Sequence, residues 1–177
     1  MLKRLRKLVL LTAIGIVAYW GWTYWREHRF DKVIAQAARR YGLEPALVKA
    51  VIWRESRFHP DARGRAGELG LMQVREEAAW EWAGAEHVKS FQESDCLNPA
   101  TNTLDGAWYL SKELRRYSHA DNALPYALAD YNAGRANVLK WLGGAAATNS
   151  QLFIDQIGYP ATRAYVRSIL RRYEHYR

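Results

Sequence analysis

The chain has 177 residues, with 26 Lys and Arg against 18 Asp and Glu and a hydrophobic fraction of 49%. This length favours one domain with at most one appendage, and so apolar a composition excludes a disordered chain. The only cysteine, Cys96, excludes an internal disulfide framework, and the five histidines are too scattered for a metal-binding motif, so no metal site is predicted.

The positive charge is concentrated at the N-terminus. Four bases precede residue 8 and supply half of the formal net charge of +8: Lys3, Arg4, Arg6 and Lys7. They are followed by Leu8–Trp25, 18 residues without a charge, which as a helix would cover roughly 27 Å, close to the hydrocarbon thickness of a bilayer. The positive-inside rule places the basic end in the cytoplasm and the residues after Arg26 outside. Because no basic stripe with interleaved aromatic residues follows, no nucleic-acid partner is predicted.

We therefore predict three segments: a cytoplasmic basic segment at residues 1–7, an uncleaved transmembrane anchor at residues 8–25 and a folded domain at residues 27–177. Two other interpretations compete. A cleaved signal peptide also has a basic start and an apolar stretch, but it needs small residues after that stretch, where Tyr19–Trp22 is bulky. A buried core helix rarely carries four bases at one end with no acid opposing them.

The rest of the chain has the pattern of helices joined by short polar turns, because apolar residues recur at helical spacing. The predicted helices are, in chain order, Val33–Tyr41 capped by Gly42, Pro45 to about Ser56, Ala78–Trp82, Pro99–Leu110 capped by Asn98, Pro125–Ala133 stopped by Gly134, Arg135–Leu142 and Thr162–Arg177. Three glycines between residues 61 and 70 predict a loop, and Gly84–Asp95 is polar and irregular. Few stretches alternate apolar and polar residues, so the predicted fold class is all-α.

Glu55 is the first candidate for a chemical role. It ends the apolar helix that begins at Pro45, directly before a loop. A carboxylate at the C-terminal end of a helix lies at the unfavourable end of the helix dipole, and apolar walls remove water from it. Both effects raise a pKa, as a general acid near neutral pH requires. By position alone, a surface carboxylate paired with Arg54 or Arg57 is the more common alternative.

Three motifs follow one another in order: Glu55-Ser56, Gly70-Leu71-Met72-Gln73 and Ala129-Asp130-Tyr131-Asn132-Ala133-Gly134. Together with Asn98-Pro99, Thr162-Arg163 and Tyr165-Val166, this set resembles the catalytic domain of soluble-type lytic transglycosylases, a lysozyme-like family that cleaves bacterial cell-wall peptidoglycan. The resemblance covers residues 31–177, and it is the order and spacing of the motifs that make it specific. It implies a lysozyme-like helical domain preceded by the N-terminal transmembrane helix.

The resemblance implies a role for each matching position. Glu55 matches the family's sole catalytic acid/base. The matching substrate-binding residues are Ser56, Gly70, Leu71, Met72, Gln73, Tyr131 and Asn132. Of these, Gly70–Gln73 would line the sugar groove, and Tyr131 and Asn132 would orient the catalytic carboxylate and the substrate. Gly134 matches a turn that brings this stretch close to the groove.

The resemblance also implies a reaction. Glu55 would protonate the oxygen of the β-1,4 bond between N-acetylmuramic acid and N-acetylglucosamine. It would then take the proton from the muramic C6 hydroxyl, which closes on C1 to give a 1,6-anhydro sugar. The substrate supplies the nucleophile, so neither a metal nor a cofactor is expected.

The expected partners are peptidoglycan glycan strands and, through the N-terminal helix, a membrane. The chain would cross the bacterial cytoplasmic (inner) membrane once, with its catalytic domain on the periplasmic, extracytoplasmic side.

Several positions depart from the family pattern, and two of these departures bear on the function. Ala161 stands where the family usually has a Glu, and Glu68 stands where it often has a small residue. A second carboxyl group from Asp61, Glu68 or Asp130 would make the protein a hydrolase resembling goose-type lysozyme. Ala161 leaves open a third function, a non-catalytic glycan-binding scaffold.

Overall fold

The computed structural model describes residues 2–177, with side chains from Lys3 onward, and Met1 of the predicted cytoplasmic segment lies outside the described residues. Across that range the chain is 73% helical with no strands, which confirms the predicted all-α fold class. The α-helices of the described residues are Leu2–His28 (α1), Asp31–Tyr41 (α2), Pro45–Glu55 (α3), Glu76–Ala85 (α4), Pro99–Arg116 (α5), Ala123–Ala133 (α6), Arg135–Trp141 (α7), Ser150–Gln156 (α8) and Pro160–Tyr176 (α9). Short 3₁₀ helices at Glu93–Leu97 and Gly144–Ala147 complete the helical structure.

Helix α1 extends away from the rest of the domain. Over the span Lys3–Tyr41, its most apolar 18-residue window has a mean hydropathy of 1.4 and none of that window is buried. This exposure excludes the interpretation of α1 as a core helix. The helix is long and apolar enough to cross a membrane, a property that a signal sequence shares. Only Arg29 and Phe30 separate α1 from α2.

Several helix ends lie where the local sequence predicts them. Gly42 adopts the left-handed conformation, with φ of 68°, and closes α2, while Pro45 takes the first position of α3. Asn98 caps α5 by accepting from the N–H groups of Ala100 and Thr101. These residues satisfy or replace the backbone groups that every helix end leaves unpaired, so they set the ends without help from tertiary packing.

The prediction that Pro125 begins a helix is wrong. Helix α6 begins two residues earlier, because Asn122 caps it by accepting from the N–H of Leu124 at 3.0 Å. Pro125 is then the third helical residue. The missing N–H is tolerated there because the N–H groups of the first turn have no intrahelical acceptor. Helix α9 likewise begins at Pro160 rather than Thr162, and α8 was not predicted.

Helix α3 is central, as its nearly continuous apolar run predicts. Six consecutive residues, 47–52, are buried. Helix α3 packs against α2 and α9, and α5 packs against α2 and α6. The C-terminal ends of α3 and α6 meet the N-terminal half of α9, since Tyr165 bonds to Glu55 and Thr162 bonds to Asn132.

Candidate active site

Glu55 is the last residue of α3 and is only partly exposed. Its Oε1 accepts a 2.5 Å hydrogen bond from the hydroxyl of Tyr165 on α9. Burial raises the pKa of Glu55 from 4.5 to about 7, against the opposing effects of the Tyr165 hydrogen bond and the positive charge of Arg54. A carboxyl group with this pKa is half protonated near neutral pH, which suits a group that must first give and then take a proton.

The alternative of a surface carboxylate paired with a neighbouring arginine does not describe Glu55. Among the described residues, no ion pair joins it to Arg54 or Arg57. The guanidinium of Arg57 lies instead over the ring of Trp53, 3.5 Å from its centroid. The carboxyl group of Glu55 is thus directed into the domain.

A cavity of about 230 Å³ opens beside Glu55. Gln73, Tyr131 and Asn132 share its lining with Glu55, and Gly134 borders it as well. The structure thus brings together four residues that the sequence separates by up to 77 positions. A recess with a titratable carboxyl group and a few convergent polar groups is the usual form of a small-molecule or glycan site.

The Gly70–Gln73 segment is held as a tight turn. Leu69 and Val74 exchange backbone hydrogen bonds of 2.9 and 3.0 Å across it. Asn102 on α5 binds the turn from behind, because its Nδ2 donates to the carbonyl of Leu69 at 2.8 Å and its Oδ1 accepts from the N–H of Met72 at 2.7 Å. Position 70 requires glycine, since φ is 75° and a Cβ there would lie 2.5 Å from Nδ2 of Asn102.

Leu71 and Met72 have fully buried side chains that do not line the cavity. Met72 packs against Gly106, where a Cβ would lie 2.6 Å from its sulfur. The carbonyl of Met72 accepts a 2.8 Å hydrogen bond from the hydroxyl of Tyr131. Met72 and Leu71 thereby fix the turn in the core, and a direct contact with substrate by these two residues stays a prediction.

Gln73 and Asn132 each have one end of the side-chain amide fixed by the protein. Nε2 of Gln73 donates to the carbonyls of Ala62 and Gly70 at 3.1 and 3.0 Å, which leaves Oε1 as a free acceptor. Oδ1 of Asn132 accepts from the hydroxyl of Thr162 at 2.8 Å, which leaves its NH₂ group as a free donor. One acceptor and one donor are therefore presented to the cavity in fixed orientations.

Ser56 lies apart from the cavity. Its side chain is buried, and its hydroxyl donates to the carbonyl of Ile52 at 3.2 Å. Gly70 does not line the cavity either, because it is buried under Asn102. The predicted substrate contacts of Ser56 and Gly70 are not tested by this geometry and stay predictions.

Tyr165 is the neighbour of Glu55 that sequence reasoning missed. Its position on the apolar face of α9 predicted a core residue, and its ring is indeed buried. The hydroxyl nevertheless donates to Glu55, whereas the resemblance implies Tyr131 as the residue that orients this carboxyl group. Tyr165-Val166 is one of the motifs on which the resemblance rests, but apolar periodicity cannot distinguish a phenol from a phenyl ring.

Of the three candidates for a second carboxyl group, Glu68 and Asp130 line the cavity, and of these two only Glu68 has a side chain that solvent reaches. Asp61 is exposed and does not line the cavity. Asp130 is buried and accepts on Oδ2 from Tyr117 at 2.6 Å and from Arg116 at 3.0 Å. Glu68 lines the cavity and forms a 3.3 Å ion pair with Arg75.

Glu68 is held ionised by its surroundings. Burial favours its neutral form, but backbone N–H groups at Glu68 and Ala66 and the charge of Arg75 hold its pKa below the ordinary value. Its negative charge in turn contributes to the raised pKa of Glu55. Across the described residues, no group of three or more His, Cys, Asp or Glu side chains is arranged to hold a metal ion.

Comparison with protein-family models matches residues 32–154 to the transglycosylase SLT domain. The soluble lytic murein transglycosylase of Salmonella typhimurium is 28% identical over 155 residues, an alignment that covers 84% of this chain and 23% of that protein. The chain thus spans about a quarter of the length of the curated relatives it matches.

Solved structures show the same likeness. An inactive mutant of the lytic transglycosylase Slt from Pseudomonas aeruginosa aligns with a TM-score of 0.75 at 28% identity, over 82% of this chain and 23% of that one. The 70 kDa soluble lytic transglycosylase of Escherichia coli also aligns with a TM-score of 0.75, over 84% of this chain and 24% of that one, and its 24% identity indicates a shared fold.

Proposed function

The chain belongs to the transglycosylase SLT domain family, and on that basis we propose that it is a peptidoglycan lytic transglycosylase. It cleaves the β-1,4 bond between N-acetylmuramic acid and N-acetylglucosamine and leaves 1,6-anhydromuramic acid ends. The relatives that bear the name soluble lytic murein transglycosylase support this reaction. We assign the acid/base role to Glu55.

The observation that carries the proposal is the state of Glu55. Its pKa of about 7 lets the same carboxyl group act as an acid and then as a base within one turnover. Tyr165 occupies Oε1 at 2.5 Å, so the proton of the acid form resides on Oε2. That proton goes to the glycosidic oxygen as the bond to C1 breaks. The carboxylate then accepts the proton of the C6 hydroxyl as the new bond to C1 forms, which restores the acid form without water.

The neighbouring residues hold the sugar. In the proposal, the NH₂ group of Asn132 donates to a saccharide oxygen and Oε1 of Gln73 accepts from a saccharide hydroxyl or amide. Tyr131 ties the turn at Met72 to α6 and so sets the width of the groove. Gly70, Leu71 and Ser56 shape the groove from behind.

We propose that α1 anchors the enzyme in the bacterial cytoplasmic membrane. Residues 1–7 remain in the cytoplasm, residues 8–25 span the membrane, and residues 27–177 form the catalytic domain on the periplasmic side. Two features support this arrangement: the unopposed bases before residue 8, and the exposed apolar surface of the helix.

A lysozyme-type hydrolase is the second candidate, and Glu68 is the observation that favours it. Its ionised carboxylate faces the same cavity as Glu55 and could direct a water molecule to C1. Product chemistry separates the two reactions, since hydrolysis leaves a reducing end and transglycosylation does not.

The test is digestion of purified peptidoglycan by the full chain in nonionic detergent, with the soluble products identified by mass. Anhydro-muropeptides that disappear with Glu55→Gln support the proposal. Reducing-end products would replace it with hydrolysis, and binding to peptidoglycan without cleavage would indicate a glycan-binding scaffold.

A further inference from the structure

Four arginines from different parts of the chain gather beside the C-terminal end of α1. We call Arg26, Arg54, Arg57 and Arg172 the arginine cluster. The guanidinium carbons of Arg57 and Arg172 lie 3.5 and 4.7 Å from the centroid of the same ring, that of Trp53. Partial burial and the positive charges of the three other members lower the pKa of Arg57.

The charge of the cluster is poorly compensated. Glu27 pairs with Arg172 at 2.6 Å. Among the described residues, no carboxylate lies within 4.0 Å of the guanidinium groups of Arg26, Arg54 or Arg57. Grouping like charges in this way is unfavourable for the isolated protein, so the cluster is suited to binding an anion.

Three contacts tie the cluster to the point where α1 meets the domain. Glu27 accepts from Arg172 and also from the hydroxyl of Tyr176 at 3.1 Å. Arg29 donates a 2.7 Å hydrogen bond to the carbonyl of Phe58, the residue that follows Arg57 in the chain. The cluster therefore keeps a fixed position relative to the end of α1.

That position corresponds to the headgroup layer of a bilayer. The charge-free stretch ends at Trp25, and Arg26 is the next residue. Exposed rings of Trp22 and Trp25 lie just before it, where tryptophan favours the membrane interface. Because each headgroup layer is about 5–8 Å thick, groups within one helical turn of this point lie among lipid phosphates.

The chemistry of the cluster matches a phosphodiester. Guanidinium groups bind phosphate oxygens through paired N–H donors. An aromatic ring stacked against a guanidinium group fixes the orientation of that group. The ring of Trp53 plays this part for Arg57 and Arg172. A free phosphate offers the same oxygens, but only a lipid phosphate would be concentrated in the headgroup layer.

We propose that the arginine cluster binds the phosphodiester headgroup of an anionic phospholipid in the leaflet from which α1 emerges. The inference rests on the proposed anchor role of α1 and is independent of the reaction at Glu55. The lipid would fix the catalytic domain in one orientation on the membrane surface.

The test is native mass spectrometry of the full chain in nonionic detergent, with phosphatidylglycerol or phosphatidylcholine added at equal concentration. We expect the wild type to retain the anionic lipid at least about fivefold more than the neutral one, and the double variant Arg26→Gln/Arg57→Gln to lose this preference, because each base at a membrane surface contributes about fivefold. The control variant Arg39→Gln/Lys89→Gln removes the same charge from exposed positions away from α1 and should keep the preference.

Equal retention of both lipids by the wild type, or an unchanged preference in the double variant, would overturn the proposal. Equal retention of soluble glycerol phosphate would also overturn it, in favour of a free anion. Flotation with phosphatidylcholine vesicles tests the anchor separately, since all variants should float through α1. If the double variant does not fold, the single variant Arg57→Gln replaces it, because that side chain is exposed.

Discussion

The phenol of Tyr165 donates a 2.5 Å hydrogen bond to Oε1 of Glu55, across 110 residues of sequence. The contact exists because α9 packs along α3. This packing places Tyr165 of α9 next to the last residue of α3. A buried phenol in this place does two things at once. It holds the carboxyl group in one rotamer, and it limits how far burial can raise the pKa of Glu55.

The cleavage rate should fall as pH rises through about 7, because the reaction begins with a protonated Glu55 whose pKa is about 7. Initial rates of anhydro-muropeptide release between about pH 5 and about pH 9 would show this basic limb. A rate that stays constant across the range would mean that a group other than Glu55 donates the proton.

Glu55→Gln should stabilise the fold at alkaline pH. The folded-state pKa of about 7 is above the ordinary 4.5, so the folded chain binds this proton more tightly than the unfolded chain does. Stability from this group is therefore full below about pH 4.5 and is lost as pH rises through about 7. Thermal melts should show a higher Tm for the variant than for the wild type at about pH 8, and a smaller difference at about pH 5. An equal difference in Tm at both pH values would contradict the raised pKa of Glu55.

Tyr165→Phe should slow cleavage by about tenfold to about a hundredfold, because the catalytic carboxyl loses its fixed orientation. The hydrogen bond lowers the pKa of Glu55, so its removal should also move the basic limb of the pH profile to higher pH. The matched control is Tyr126→Phe, which removes a buried hydroxyl bonded to the carbonyl of Ala146 at 2.8 Å, away from the cavity. Both variants should lose about 1 kcal/mol of stability, but only Tyr165→Phe should change the pH profile.

Glu68→Gln should leave the product type unchanged and move the basic limb to lower pH. The negative charge of Glu68 helps to raise the pKa of Glu55, and the variant removes that charge without removing the side chain. Products would be identified by mass and rates followed against pH. Loss of all cleavage, with reducing-end products in the wild type, would instead make Glu68 the base of a hydrolase.

Asn102→Ala should destabilise the domain by about 2–4 kcal/mol, because it removes two hydrogen bonds and leaves the N–H of Met72 buried without a partner. Asn98→Ala, which removes only the exposed cap of α5, should cost about 1 kcal/mol. Urea unfolding of both variants gives the comparison. Equal losses would show that Asn102 does not hold the Gly70–Gln73 turn.

Sequence reasoning reached the parts of the structure that local chemistry determines. Asn98, Pro45 and Gly42 set helix ends through their own backbone or side-chain groups, so their effects are readable from a few residues. Glu55 could be noticed as a candidate, because an apolar run that ends in a carboxylate next to a loop favours a desolvated acid. A surface carboxylate is more common at such a position, so the choice of Glu55 also depended on the order and spacing of the motifs that follow it.

The rest depends on packing between distant segments. The approach of Tyr165 to Glu55 and of Asn102 to Leu69 requires α9 and α5 in their observed positions, and no local pattern encodes those positions. Pro125 is an example in which local chemistry left two possibilities, because proline fits any of the first helical positions. The side-chain cap of Asn122 sets the start of α6.

The two-residue linker between α1 and α2 limits how far the catalytic domain of an enzyme anchored by α1 lies from the membrane. Arg29 and Phe30 can extend by at most about 7 Å, and Arg29 is already bonded to Phe58. Because this linker is so short, the cleft of the anchored enzyme stays close to the membrane and does not reach distant layers of the wall. Glycan would have to come to the enzyme, and only strands passing within one domain's height of the bilayer would be cut.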